Sequence, residues 1–330
     1  MNPKTILKSI KKYQRFLIST HVNPDPDAIC SELAMAMYLR QKGKSVLVVN
    51  EAKILPRFKF LPGTQHIKPY QKAMTVHCDA VIVLDCGELN RIGKVEKLIP
   101  KNAAVINIDH HITNDSFGHL NLVNPQSSST TEVLYELFSG DHQFELTNNL
   151  ALHLYAGIMT DTGSFRYENT SSRTHQIVAQ LRKYSFSPTE LYRRFYESIS
   201  LSDLKEFTKV VSSFDSLDGG KVIVVELKKK IMAKFSNEFD LRDTVFKFLR
   251  SIKGAQVFVI LSEENPRLTR INFRSSGQVD VAQIAHFFKG GGHHNASGCQ
   301  IDKNMENARQ DVLQQIRKVL NEYGRYSSYK

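Results

Sequence analysis

Short apolar runs alternate with amphipathic stretches from residue 16 to residue 109. Residues 15–19, 45–49, 80–84 and 104–108 have strand length and strand composition. Between the first two, residues 28–41 repeat apolar side chains at helical spacing (Ile29, Leu33, Met37), with Asp27 placed to cap the start and Gly43 just past the end. That is one βαβ unit, and the alternation predicts an α/β fold: an N-terminal parallel sheet flanked by helices. Helical patterns follow at 131–138 and 148–159. A polar break at Ser185, Ser187 and Pro188 precedes a charged helical segment over 191–214. Beyond it come strand patterns at 221–227, 256–261 and 269–274, a helical one at 241–252, a glycine-rich loop at 290–292 and a closing helix over 305–323. The expected organisation is an N-terminal domain over 1–185, a helical linker over 186–214, and a smaller C-terminal α/β domain over 215–330.

Composition changes this picture little. A chain of 330 residues suits two domains that each bury a core, and 41% hydrophobic against 23% charged residues excludes extensive disorder. A net charge of +11 attracts polyanions such as nucleic acid and nucleotides. The lysines are scattered, however, and the longest run, at 228–230, is three residues, so a lysine-rich soluble surface explains the charge equally well. Cys30, Cys78, Cys86 and Cys299 form no CxxC pair, which excludes a zinc ribbon or a dithiol motif and fits reduced thiols in the cytoplasm. The N-terminal apolar run, 16–18, is far shorter than a signal-peptide core, so a soluble, unexported protein with no membrane partner is expected.

Candidate chemistry sits where apolar runs end. HVNPDPD (21–27) offers His21, Asp25 and Asp27 in a proline-braced turn; LDCGE offers Asp85, with Gly87 to let the chain turn; IDHH offers Asp109, His110 and His111; TDTGSF offers Asp161. In open parallel sheets, residues beyond the carboxyl ends of strands converge although distant in sequence. Taken singly, Asp27 would be a helix cap, Asp85 and Asp161 turn residues, and the histidines a satisfied pair. Four such coincidences together favour a metal site. Mixed carboxylate and imidazole donors suit manganese first, with magnesium, cobalt, iron or zinc as competitors. Six ligands exceed what one metal needs when it keeps an open position, so two are expected.

These segments resemble the DHH phosphoesterase family, named for the Asp109, His110, His111 triplet, over about residues 15–181. CGELNRIG (86–93), NPQSSSTTE (124–132) and DTGSFRYENTSSRTH (161–175) also look like the family. The resemblance implies that His21 and Asp25 bind one metal, that Asp27, His110 and Asp161 bind the other, and that Asp85 bridges them. His111 would lie beside the phosphate, with Asp109 behind it. The second half resembles the DHH-associated C-terminal domain through FRSS (273–276), VDVAQIA (279–285) and KGGGHHNASG (289–298). This implies substrate contacts from Arg274, Ser275, Gly291, Gly292, His293 and His294, with the active site in the cleft between the domains. Pro26, Cys30 and Lys289 depart from the family pattern, and none is an expected ligand.

Within the family, length and layout are most similar to the bifunctional oligoribonuclease and 3′-phosphoadenosine 5′-phosphate (pAp) phosphatase group. The expected activity is hydrolysis of oligonucleotides of two to five units to mononucleotides, and of pAp to AMP. Rival readings are a RecJ-like exonuclease on longer single strands, a phosphodiesterase for cyclic or linear dinucleotides, and, in another class, a non-catalytic nucleotide- or RNA-binding regulator. A homodimer is also compatible with the sequence.

Overall fold

The computed structural model describes residues 3–197, 199–236 and 239–327, and the side chains of all of these except 293 and 323–327. The chain forms two compact units, Met1–Phe195 and Tyr196–Lys330. Among the described residues no helix is long and apolar enough to cross a membrane.

Elements of the first unit are α1 (Pro3–Lys12), β1 (Arg15–Thr20), α2 (Pro26–Gln41), β2 (Ser45–Asn50), β3 (Ile67–Pro69), β4 (Ala80–Leu84), β5 (Ala104–Asp109), β6 (Leu120–Val123), α3 (Thr130–Ser139), α4 (Asn148–Asp161), α5 (Ser172–Leu181) and α6 (Pro188–Tyr196). The six strands are all parallel, in the order β3-β2-β1-β4-β5-β6. Strand order therefore reverses beside β1, which pairs with β2 on one side (Leu17 with Leu47) and β4 on the other (Ile18 with Ile82). A crevice opens at such a reversal, outside the carboxyl ends of the strands.

Both faces of this sheet are covered, which is why β4 is buried at every position. On one face α2 is buried continuously from Asp27 to Ala36 and packs against α3 and α4. A helix enclosed on nearly all sides cannot show one polar stripe, and α2 shows none. Its N-cap is Asp25, not Asp27: the Asp25 carboxylate accepts from Ala28 N at 3.0 Å, and Pro26 occupies the first helical position, where a missing N–H costs nothing. Asp27 is thereby released for another use.

The second unit contains α7 (Leu201–Ser212), β7 (Asp215–Leu217), β8 (Val222–Leu227), α8 (Lys229–Met232), α9 (Leu241–Leu249), β9 (Val257–Asn265), β10 (Leu268–Ser275), α10 (Val281–Phe287), β11 (Gly291–His293), β12 (Ala296–Ile301) and α11 (Met305–Ser327). Its sheet runs β11-β12-β10-β9-β8-β7, antiparallel except for the parallel β8–β9 pair. β10 alternates cleanly: Ile271 and Phe273 enter a core with Val281, Ile284, Val312 and Ile316, while Arg270, Asn272 and Arg274 lie on the opposite face. The helical pattern over 191–214 is two helices, α6 and α7, and Phe207 and Val210 of α7 pack into a second core with Val245 and Phe246 of α9.

Candidate metal centre

Each acidic or imidazole side chain expected in the first unit sits at the carboxyl end of β1, β4 or β5, at the first turn of α2, or at the last residue of α4. His21 directly follows β1; its Nδ1 lies 2.9 Å from Val22 O, which turns Nε2 toward Asp85 Oδ2, 3.7 Å away. His110 follows β5; its Nδ1 lies 3.3 Å from Ser127 O, and its Nε2 is 3.6 Å from Asp85 Oδ1 and 3.4 Å from Asp161 Oδ2. In each ring one nitrogen faces a backbone carbonyl, so the other is left to face the carboxylates.

Asp85 is central. Its two oxygens face different partners, Oδ2 toward His21 and Oδ1 toward His110, and Thr130 Oγ1 donates to Oδ1 at 2.9 Å. Its backbone is left-handed, with φ of 52°. An L-residue rarely adopts that conformation, and it is held here because Asp85 N donates to Ile108 O on the neighbouring strand. The sharp turn expected of Gly87 is therefore taken two residues earlier, by the acid itself.

Asp27 is gripped by the start of α3. Its Oδ2 accepts from Thr130 N at 2.7 Å, and its Oδ1 from Thr131 N at 3.2 Å and Thr131 Oγ1 at 2.6 Å. This close approach of α2 and α3 requires Gly157 on α4, because a Cβ there would strike both Asp27 Oδ1 and the Thr131 side chain. Behind the centre, Asp109 Oδ1 lies 2.6 Å from His111 Nδ1, and its Oδ2 accepts from Asn114 Nδ2 at 2.6 Å.

Among the described residues, three sets of donors have ligand atoms all within 4.8 Å of one another: His21, Asp25 and Asp85; Asp27, His110 and Asp161; and Asp85, His110 and His111. Their electrostatics match a waiting cation. Burial, then the charge of Asp85, pushes Asp27 up to about 7, and burial with Asp27, Asp25 and Asp85 close by pushes Asp161 well above the usual carboxylate range. Burial also opposes ionisation of Asp85, but the facing His21 imidazole and the charges of the three histidines hold its carboxyl below the ordinary value. Burial works against protonation of His21, His110 and His111, and the surrounding carboxylates more than offset it. So many carboxylates cannot all ionise together without a compensating positive charge, and mixed nitrogen and oxygen donors at these spacings fit divalent metals.

Thr130, Thr131, Ser127, Asn114 and Gly157 escape a reading of sequence alone. Thr130 and Thr131 lie in the NPQSSSTTE segment and carry no charge to mark them. Gly157 is masked as a small residue on a buried helix.

In the second unit, Arg274 donates from Nη1 to Phe273 O at 3.0 Å, and its guanidinium lies 4.9 Å from the Phe246 ring centroid. Ser275 is fully buried and donates to Asn295 Oδ1 at 3.2 Å; that same oxygen lies 2.7 Å from Nδ1 of the exposed His294. The three glycines differ in kind. A Cβ on Gly290 would strike Gly298 O, and Gly292, with φ of 140°, would meet Ala296 O and Ser297. Gly291 has neither constraint, since nothing lies within 4 Å of its would-be Cβ. For His293 only the backbone is described, paired with Ala296; its side chain lies outside the described residues.

Acids and imidazoles converging on the strand-order reversal of a parallel sheet define the DHH phosphoesterases, which are metal-dependent, and the chain belongs to that family. Residues 15–158 match the DHH family, N-terminal domain, and residues 219–322 match the DHHA1 domain. The bifunctional oligoribonuclease and PAP phosphatase NrnA of Bacillus subtilis is 31% identical over 303 residues, 90% of this chain and 92% of that protein. Its namesake in Thermus thermophilus is 30% identical over 311 residues, 93% and 90% of the two chains. Among solved structures, an exopolyphosphatase-related protein from Bacteroides fragilis superposes with a TM-score of 0.86 at 26% identity, covering 97% of this chain and 96% of that one.

Proposed function

We propose that this enzyme hydrolyses very short oligonucleotides to mononucleotides and pAp to AMP, on two divalent cations, manganese before magnesium, cobalt or zinc. The observation that carries the two-cation reading is the double-facing carboxylate of Asp85, with His21 and Asp25 on one side and His110, Asp27 and Asp161 on the other. The substrate assignment rests on the names of the two relatives, each aligned over at least nine-tenths of its length.

His21, Asp25, Asp27, Asp85, His110 and Asp161 would hold the cations, which when bound would supply Lewis acidity to the scissile phosphate and an activated water. The protein supplies position. Thr130 and Thr131 fix the carboxylates of Asp85 and Asp27, so neither must reorganise as charge builds on the phosphate. Asp109 holds His111 by Nδ1, leaving its opposite edge to orient the phosphate or protonate the leaving oxygen. Arg274, Gly291, Gly292, His293 and His294 are the groups assigned to the rest of the substrate, with Arg274 as a two-pronged anion donor and Gly291 allowing close backbone approach; Ser275, expected among them, is fully buried and acts only by holding Asn295, which lies against His294.

The deciding experiment is a manganese-supplemented panel of pAp, short RNAs, linear and cyclic dinucleotides, pyrophosphate and long single-stranded DNA. Turnover concentrated on pAp and short RNA is expected. Equal speed on the long strand would move the assignment to a RecJ-like exonuclease, and absence of all hydrolysis would leave a nucleotide-binding protein.

A further inference from the structure

α10 ends in two adjacent phenylalanines with opposite fates. Phe288 packs against the core beneath α10, whereas Phe287 is 63% exposed, and their rings stand at 86° with centroids 5.0 Å apart. An aromatic ring left this open, one turn before a glycine loop, leaves apolar surface in water that neither the helix nor the sheet covers.

The next residue is as unexpected. Lys289 N donates to His286 O at 2.9 Å and Gly290 N to Ala285 O at 2.8 Å, so the helix closes in the manner that places a left-handed residue at Lys289. Lys289 has φ of 58°, a conformation that glycine adopts freely and lysine does not. The chain thus keeps an exposed cation at a position where the backbone favours glycine, two residues from an exposed ring and two from Gly291.

We propose that Phe287 and Lys289 form a subsite for the next nucleotide unit of an oligonucleotide, the base stacking on the Phe287 ring and the intervening phosphate meeting Lys289. Stacking is indifferent to base identity and a lysine is a point charge for phosphate, so the pair selects for length and not for sequence. The inference rests on the assignment of the adjoining glycine loop to substrate. It implies that this chain favours oligonucleotides over pAp, which has only one base to offer.

The test is the ratio of kcat/KM for a pentanucleotide to that for pAp in the wild type, Phe287→Ala, Phe287→Tyr and Lys289→Gly. Loss of one stacked base corresponds to about a 10-fold fall in that ratio, carried by KM, in Phe287→Ala. Phe287→Tyr should keep the ratio. Lys289→Gly should lower it and make it less sensitive to salt, while raising the thermal midpoint because the strain is relieved. An unchanged ratio in both Phe287→Ala and Lys289→Gly would overturn the subsite. Anisotropy of a labelled pentanucleotide bound to the same proteins reads the subsite without turnover. A wild type that binds but cleaves neither substrate would therefore sink the proposed function alone.

Discussion

Among single residues, Asp85 joins the greatest demands: a buried charge, a left-handed backbone and two sets of ligand neighbours. Asn is tolerated in the left-handed region about as well as Asp, so Asp85→Asn separates chemistry from folding. Its thermal midpoint with chelator present should fall modestly, because the left-handed backbone is kept while the charge that the three histidines hold in place is removed. Its kcat under saturating manganese should fall by two to three orders of magnitude or more. Metal content by elemental analysis should fall with it, and a variant that keeps both metals and full turnover would show that Asp85 does not bridge.

The individual elements differ in how far the sequence reveals them. Arg15–Thr20, Ser45–Asn50, Ala80–Leu84 and Ala104–Asp109 were legible because a strand buried on both faces is a continuous apolar run. The edge strands β3 and β6 were not: at three and four residues, with Lys68 and Asn121 interrupting them, they carry no period to read. The charged residues of the centre announced themselves by following those runs. The hydroxyls and amides that hold them did not, since Thr130 and Asn114 acquire meaning only through the packing of α3 and the loop after β5. The cap is a different case: Pro26 at the first helical position marks Asp25 as the cap in the sequence itself, and what the sequence does not reveal is that the start of α3 takes up the Asp27 carboxylate.

Two predictions belong at this scale. At the contact of α2, α3 and α4, Gly157→Ala drives a methyl group into Asp27 and Thr131. It should cost about 1–3 kcal/mol in chemical denaturation and weaken metal affinity measured by calorimetry, whereas a neutral outcome would mean the helices are free to separate. In the glycine loop, Gly291→Ala should leave the thermal midpoint unchanged and raise KM, while Gly292→Ala should lower the midpoint, because only the latter has a backbone reason to be glycine. Equal effects of the two on stability would remove the ligand-approach reading of Gly291.

For the whole molecule, stability against pH also follows from two buried groups outside the donor set, Glu32 and His153. Glu32 is fully buried, with one oxygen accepting from Asn50 Nδ2 at 2.8 Å, and burial pushes it from 4.5 to about 8. The folded state then keeps a proton that the unfolded chain releases, so this contribution is whole below pH 4.5 and is lost as pH rises toward about 8. His153, also fully buried and bonded to Pro62 O, is pushed by burial from 6.5 to about 4, so its contribution is whole above pH 6.5 and is lost as pH falls toward about 4. The two slopes oppose each other where their windows overlap, between pH 4.5 and 6.5. Glu32→Gln mimics the protonated acid, so its thermal midpoint should pull ahead of the wild type by a growing margin between pH 6 and 8 and by nothing near pH 4. A constant difference across that range would show that Glu32 is charged in the folded protein.

The donors proposed for the metal centre enter the chain at His21 and finish only at Asp161, the last residue of α4. During translation, no length of nascent chain that ends before α4 can hold the complete set. Ion capture by the full set thus cannot precede synthesis of α4, although the first unit still has α5 and α6 to come.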